Sequence, residues 1–385
     1  MATIAVVNVE LGGHLGPGLR LAATLSGFGH RVIVWAPEAS HEEVRSLGCK
    51  PIAHRPSALA NLWRDTHELA VLQAKAVTEC LPDLLEGLLA ENVELVVHDV
   101  HAPWGRVAAD FLGLPRIVSN PLYPWWARPA DLQWARAGTS HISDPAAGLF
   151  LEHAGERRRI LARWGVDLGD PVETAVSSGE WTVSYTTAAV LGPATRPAGW
   201  CLAGPLMSRR RRAVETGRPL IYAALGTASL GARAVFAVII EALGELEVDA
   251  VVSTGGRFEP EALGPLPANV IAHRFVDSRA ILDRAAVHVT HGGCSSVHEA
   301  LVAGVPMVCL PLGSDQWDWA QRVVESGVGE LVERRAGLIG EAIVRLLSSQ
   351  AVRERTQTVA EQLLSHPGPA LIGDLVDTVL ATEFA

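Results

Sequence analysis

The stretch that most constrains this chain is residues 284–322, RAAVHVTHGGCSSVHEALVAGVPMVCLPLGSDQWDWAQR. Val287 to Thr290 is a β-branched run of strand length. His291-Gly292-Gly293 breaks it, and glycine lets backbone approach a ligand closely. Ser295 or Ser296 can cap a helix through Leu301. Gly304 and Pro306 stop that helix, and Met307 to Leu310 reads as the next strand. A strand feeding a glycine turn into a helix points backbone N–H groups and the positive dipole end at one spot, which suits an anion and most often a phosphate. Asp315-Gln316 follows, a carboxylate and an amide suited to sugar hydroxyls. Each piece also has a plain structural reading. Ser296-x-x-Glu299 is a capping box, His291 ends a strand, and Asp315-Gln316 sits in a solvated loop.

The rest of the chain repeats the alternation. Ile4 to Val9 reads as a strand, followed by a glycine turn, a helix from about Pro17 to Phe28, and a strand from Arg31 to Trp35. Strand alternating with helix means an α/β fold with parallel sheets. Gly13, Gly16 and Gly18, with Glu38 about 20 residues beyond, invite a dinucleotide reading. Their order is wrong for G-x-G-x-x-G, and His14 and Pro17 intrude. His14 lies instead on a glycine turn at the carboxyl end of strand one, where α/β sheets bind ligands. An imidazole there can take a proton at neutral pH. Its plain reading is a loop histidine capping the helix. Glu94 to Asp99 is a strand ending in a carboxylate, at the same sheet end as His14 if the strands are parallel. His98 and His101 flank Asp99 as rival acceptor contacts. Further strands are expected at 114–119, 181–185, 199–202 and from Pro219 on. Apolar residues at 371, 372, 375, 376, 379 and 380 form one face of a terminal helix.

The chain has 385 residues, net charge -10 and a sequence pI of about 5.8, so nucleic acid and anionic membranes are not expected partners. No apolar run is long enough to insert stably across a bilayer. The start, MATIAVVNVE, reads as a strand rather than a leader. Cysteines at 49, 80, 201, 294 and 309 show neither metal nor disulfide spacing, which suggests a reducing cytoplasm. Tryptophan is abundant: 11 residues, seven of them from Trp63 to Trp181. They fill a core or line a broad pocket for an apolar ligand.

The ordered series HGG, serine, glutamate, GVP and DQ over 291–316 resembles the nucleotide-sugar signature of UDP-glycosyltransferase-like enzymes of the GT-B fold. Gly13-His14-Leu15-Gly16-Pro17 is similar to their GHxxP turn, and Gly226-Thr227 to the GT of their first C-domain strand. Within that family the chain looks most like actinobacterial enzymes that glycosylate macrolides and other antibiotics. The resemblance implies two Rossmann-like domains with a cleft between them and a C-terminal helix crossing back to the N-domain. Residues 1–202 would bind the acceptor, 203–219 would link, 220–370 would bind the nucleotide sugar, and 371–385 would form the returning helix. It implies His14 as general base oriented by Asp99. Donor contacts would come from Gly226, Thr227, Phe275, Val276, His291, Gly292, Gly293, Ser295, Ser296, Glu299, Asp315 and Gln316. Acceptor contacts would come from Trp104, Tyr123, Trp125 and Trp126.

The chain departs from the family pattern twice. Phe275-Val276-Asp277-Ser278 stands where W-x-P-Q is usual, so the base of the donor (UDP, TDP or other) stays open. Trp319 stands where many relatives carry asparagine. No metal motif is present, since His298-Glu299 lacks the second zinc-helix histidine and no Asp-x-Asp occurs where it could hold a diphosphate-bound ion. The expected activity is metal-independent, inverting transfer to a hydroxyl of an apolar acceptor, with no cofactor beyond the nucleotide sugar. A sugar-nucleotide epimerase and a non-catalytic sugar-nucleotide-binding helper are the competing readings. A homodimer is compatible with the sequence, which does not set the oligomeric state.

Overall fold

A computed structural model describes residues 1–53, 66–127, 147–177, 179–209, 217–226 and 232–382. Contacts divide the chain into two compact units. One is Met1–Tyr185 with Thr195–Leu206 and Pro367–Ala385; the other is Thr186–Ala194 with Met207–His366.

The first unit is built on a parallel sheet of β1 (Thr3–Val7), β2 (Arg31–Ala36), β3 (Lys50–Ala53), β4 (Leu95–Asp99), β5 (Arg116–Asn120), β6 (Thr182–Ser184) and β7 (Trp200–Leu202). Their order across the sheet is β3-β2-β1-β4-β5-β6-β7. The central strands are apolar on both faces because both faces are covered. Ala5, Val7 and Val96 pack with helices Thr66–Ala90 and Pro103–Leu112. Ile4, Val6, Leu95 and Val97 pack on the other side with helix Gly12–Gly27. The terminal helix is Gly368–Thr382, starting three residues before its apolar stripe. It buries Ile372, Leu375, Val376 and Val379 in that second layer, so it belongs to the first unit.

The second unit repeats the plan. Strands β8 (Leu220–Ala224), β9 (Asp249–Ser253), β10 (Val270–His273), β11 (Val287–Thr290), β12 (Met307–Cys309) and β13 (Gly329–Leu331) run parallel in the order β10-β9-β8-β11-β12-β13. Two doubly wound Rossmann-like sheets are the expected α/β architecture.

In each unit the strand order reverses at one place: between β1 and β4, and between β8 and β11. Ligands of open α/β sheets bind at that switch, beyond the carboxyl ends of the strands. No helix among the described residues is long and apolar enough to cross a membrane.

Candidate active site

His14 is not on an extended glycine turn. Helical bonding starts upstream, where His14 and Leu15 N–H both donate to Leu11 O at 2.8 Å, and the helix runs Gly12–Gly27 with Pro17 in its second turn. His14 therefore sits in the first turn, with its ring held at the switch between β1 and β4. Register fixes this, because Val7 at the end of β1 pairs beside His98 of β4.

His14 Nδ1 lies 3.0 Å from both Asp99 Oδ1 and Oδ2. Asp99 is fully buried, while the His14 side chain keeps 12% exposure. Burial pushes the Asp99 carboxyl up, but the neighbouring His14, with its hydrogen bond, and His101 outweigh this and hold it below the usual carboxylate range. An ionised carboxylate only accepts, so Nδ1 of His14 carries the proton. Nε2 keeps the lone pair, as a general base requires. Asp99 does not cap helix Pro103–Leu112, which has no side-chain cap. Its Oδ1 instead accepts the His101 N–H at 2.8 Å.

His98 and His101 part company. His98 faces the layer under helix Pro103–Leu112. Gly105 admits it there, since a Cβ at 105 would lie 2.6 Å from His98 Cβ. His98 Nδ1 donates to Asp99 O at 3.1 Å, and burial drives its pKa down to about 3. It is a neutral packing residue. His101 stacks on His14, with ring centroids 4.7 Å apart and planes 30° apart.

Of the proposed acceptor contacts, Trp104 is corrected. It lies on the inner side of its helix, fully buried among Val7, Val107 and their neighbours, and belongs to the core. Tyr123 is buried too, its hydroxyl donating to Ala127 O at 3.3 Å. Trp125 is exposed, and Trp126 is half-buried with its ring edge-on to Trp200 at 5.6 Å. Residues 128–146 and Trp63 lie outside the described residues.

In the second unit the switch is built from glycine and backbone. Helix Cys294–Ala303 starts directly after Gly293 with no side-chain cap. The capping-box reading of Ser296 and Glu299 is thereby overturned, because both side chains turn elsewhere. Ser296 Oγ is 2.8 Å from His288 Nε2 and 2.8 Å from Thr290 Oγ1. His288 Nδ1 is 3.1 Å from Tyr222 O, and Gly292 N–H donates to Thr290 Oγ1 at 3.2 Å. Directions follow from chemistry. The Tyr222 carbonyl can only accept, so His288 Nδ1 donates. Burial lowers the pKa of His288 to about 4, so its Nε2 accepts from Ser296. Ser296 then accepts from Thr290, and Thr290 from Gly292. This directed chain holds the glycine loop in place. Glu299 instead accepts from Ser278 Oγ at 2.7 Å.

His291 is half-buried and kept neutral by burial, which lowers its pKa to about 4, and its Nδ1 has no partner. Gly226 and Gly293 flank its Nε2, where added Cβ atoms would come within 2.7 and 2.6 Å. Gly226 (φ 70°) and Gly292 (φ 83°) also need the left-handed backbone that glycine tolerates. Thr227 lies outside the described residues.

Asp315 and Gln316 are not in a free loop. Gln316 opens helix Gln316–Glu325 and its Oε1 accepts from Leu312 and Gly313 N–H at 2.8 and 3.2 Å, which leaves only its amide nitrogen for a ligand. Asp315 Oδ2 accepts from Trp319 Nε1 at 3.2 Å, so Trp319 is a buried support for Asp315. Phe275 is 63% exposed, with its ring lying over Gly256, where a Cβ would meet its Cζ at 2.2 Å. Val276 is half-buried beside it. Sequence reasoning missed the His288–Ser296–Thr290 chain. The only signal was a histidine inside an otherwise apolar strand.

Two Rossmann-like units, one with a His–Asp pair at its switch and the other with an uncapped, glycine-lined helix start, define the GT-B class. Residues 237–378 match the family described as erythromycin biosynthesis protein CIII-like, C-terminal domain. Over 412 aligned residues the chain is 27% identical to demethyllactenocin mycarosyltransferase of Streptomyces fradiae, covering 99% of this chain and 87% of that protein. Among solved structures, the glycotransferase of kitacinnamycin is 25% identical with a TM-score of 0.78, covering 98% of both chains. Glycosyltransferase VinC in complex with DTDP is 19% identical with a TM-score of 0.70, covering 99% of this chain and 100% of that one. The fold and the likeness run nearly end to end, so the chain has the GT-B fold and is similar along its length to natural-product glycosyltransferases.

Proposed function

We propose that the protein transfers a sugar from a nucleoside diphosphate sugar, TDP- or UDP-linked, to a hydroxyl of an apolar natural-product acceptor, with inversion at the anomeric carbon and without a metal ion. The His14–Asp99 pair carries this reading. A similar protein is named for mycarosyl transfer, and a structure of the same fold holds DTDP, which supports the natural-product and nucleotide-sugar assignments.

Each residue then has a role. His14 Nε2 takes the acceptor hydroxyl proton, and Asp99 stabilises the imidazolium that results. The deprotonated oxygen attacks the anomeric carbon as the bond to the diphosphate breaks, and the nucleoside diphosphate leaves. The N–H groups opening helix Cys294–Ala303 and its dipole stabilise the leaving diphosphate. Neutral His291 offers a ring nitrogen there. Asp315 and the Gln316 amide face the sugar, and Phe275 with Val276 receives the base. Trp125 and Trp126 offer apolar surface to the acceptor. Among the described residues no three His, Cys, Asp or Glu side chains come together to hold a metal.

Three experiments test this. Thermal unfolding with UDP, TDP and GDP should show one nucleotide adding about 2.7 kcal/mol at about 100 times its dissociation constant, equally with and without chelator. No shift with any of them removes the donor assignment. Product analysis on apolar polyketide acceptors should give a glycoside of inverted configuration. His14→Ala should lose at least about 10²-fold in rate, and near-normal turnover would take His14 out of the mechanism.

A further inference from the structure

Behind the His14–Asp99 pair lies a second buried tier. His101 Nδ1 is 2.6 Å from Ala175 O, at the end of helix Pro171–Ala175. A carbonyl only accepts, so this nitrogen carries the proton. From helix Thr66–Ala90, Gln73 Nε2 donates to His101 O at 3.0 Å and to Ala175 O at 3.3 Å. Gln73 is fully buried and His101 nearly so. The His101 main chain also donates to Asp99 Oδ1 at 2.8 Å. One residue thus touches both members of the pair, the carboxylate through its N–H and the imidazole through its stacked ring.

We propose that His101 is a positioning residue for the general base: a fixed, neutral plate that holds the His14 ring in plane with Asp99 and keeps water off one of its faces. The inference rests on His14 acting as the base. The tier has the marks of a rigid support, because its ring is bonded at Nδ1, its backbone at both N–H and C=O, and its amide anchor is buried. Among the described residues, the titratable groups facing it are His14, from helix Gly12–Gly27, and Asp99, from β4. Helices Pro171–Ala175 and Thr66–Ala90 present the Ala175 carbonyl and the Gln73 amide. Burial, then the neighbouring His14, keeps His101 uncharged, with a pKa of about 4, so it does not compete with His14 for the proton. A neutral imidazole against an imidazolium also costs nothing in like-charge repulsion.

Two substitutions separate the ring from its bond. His101→Asn keeps a donor for Ala175 but removes the plate, and His101→Phe keeps a flat ring but loses the donor. The readouts are steady-state kinetics over pH and the titration of the His14 Cε1–H by NMR, assigned with His14→Gln. In His101→Asn, kcat should fall about tenfold with KM for both substrates within about twofold. The altered surroundings of the ring should move the His14 midpoint and the acid limb of the kcat profile together. In His101→Phe both should return most of the way to wild type. If the His14 midpoint and kcat are unchanged in His101→Asn, the proposal is overturned. It is also overturned if the loss disappears on cooling below the variant's melting transition, since the effect is then only stability. A midpoint that moves while kcat stays put supports the positioning role and removes His14 as the base, so the two ideas fail separately.

Discussion

The two units share one strand order yet put opposite chemistry at the same topological point. At the β1/β4 switch a helix enters with His14 in its first turn, against a buried carboxylate. At the β8/β11 switch a helix enters with no side-chain cap, behind two glycines, and its own carboxylate, Glu299, is turned aside to Ser278. On the proposed function, the difference follows the tasks. Removing a proton needs a fixed negative charge behind the imidazole. Holding a diphosphate needs backbone N–H groups and no negative charge nearby. The Rossmann topology supplies the place, and a few side chains decide its electrostatics.

The sharpest way to break this contrast is Asp99→Asn. It should cut kcat by about 10² to 10⁴-fold, because the amide no longer fixes the His14 tautomer. Nucleotide-induced stabilisation should stay intact. If nucleotide binding fell as well, the two switches would not be chemically separate.

Acid should act on both units alike. His98 and His101 in the first, and His288 and His291 in the second, are held neutral by burial, with pKa values of about 3, 4, 4 and 4. The unfolded chain protonates them near 6.5, so it binds more protons between about pH 6.5 and 4. Stability is therefore full above pH 6.5 and is lost as pH falls toward 4, by at most about 1.4 kcal/mol per pH unit for each imidazole. Asp99, held below its usual value, adds a further loss only below about pH 4. Denaturant unfolding at pH 7, 6 and 5 measures the slope, and a flat profile would contradict the neutral-histidine assignment.

Ser296→Ala tests the hydrogen-bonded chain in the second unit. It strips the buried His288 Nε2 of its partner and should cost about 1–3 kcal/mol, with weaker nucleotide binding. The smallest effect belongs to a pair of glycines. Among the described residues no atom lies within 4 Å of a Cβ added at Gly13, so Gly13→Ala should change stability by no more than about 1 kcal/mol, in the stabilising direction. Gly226→Ala meets His291 Nε2 at 2.7 Å with φ at 70°, and should lower both stability and nucleotide affinity. Calorimetry and nucleotide titration of both variants would separate a switch that tolerates a side chain from one that does not.

Some of this was legible in the residues alone. The β-branched runs, the glycine and proline stops and the alternation of period determine two parallel sheets, because a strand or helix of that pattern has only one way to bury its apolar face. The HGG stretch and His14 with Asp99 were likewise legible as candidates, since strands feeding helices bring their carboxyl ends together. What the sequence could not determine is which of several polar neighbours a side chain chooses. Ser296 and Glu299 have capping-box spacing, yet the tertiary structure offers Ser296 a buried histidine and Glu299 a serine from another helix. Trp104 shares a tryptophan-rich half with Trp125, but helix rotation sends one into the core and leaves the other in water. His98 and His101 differ by three positions and fall to opposite roles, because strand alternation and one glycine, Gly105, decide which ring goes under the helix and which stacks on His14. Local pattern sets where elements begin and which face is apolar. Partner choice among buried polar groups is set by distances across the fold, which no local spacing encodes.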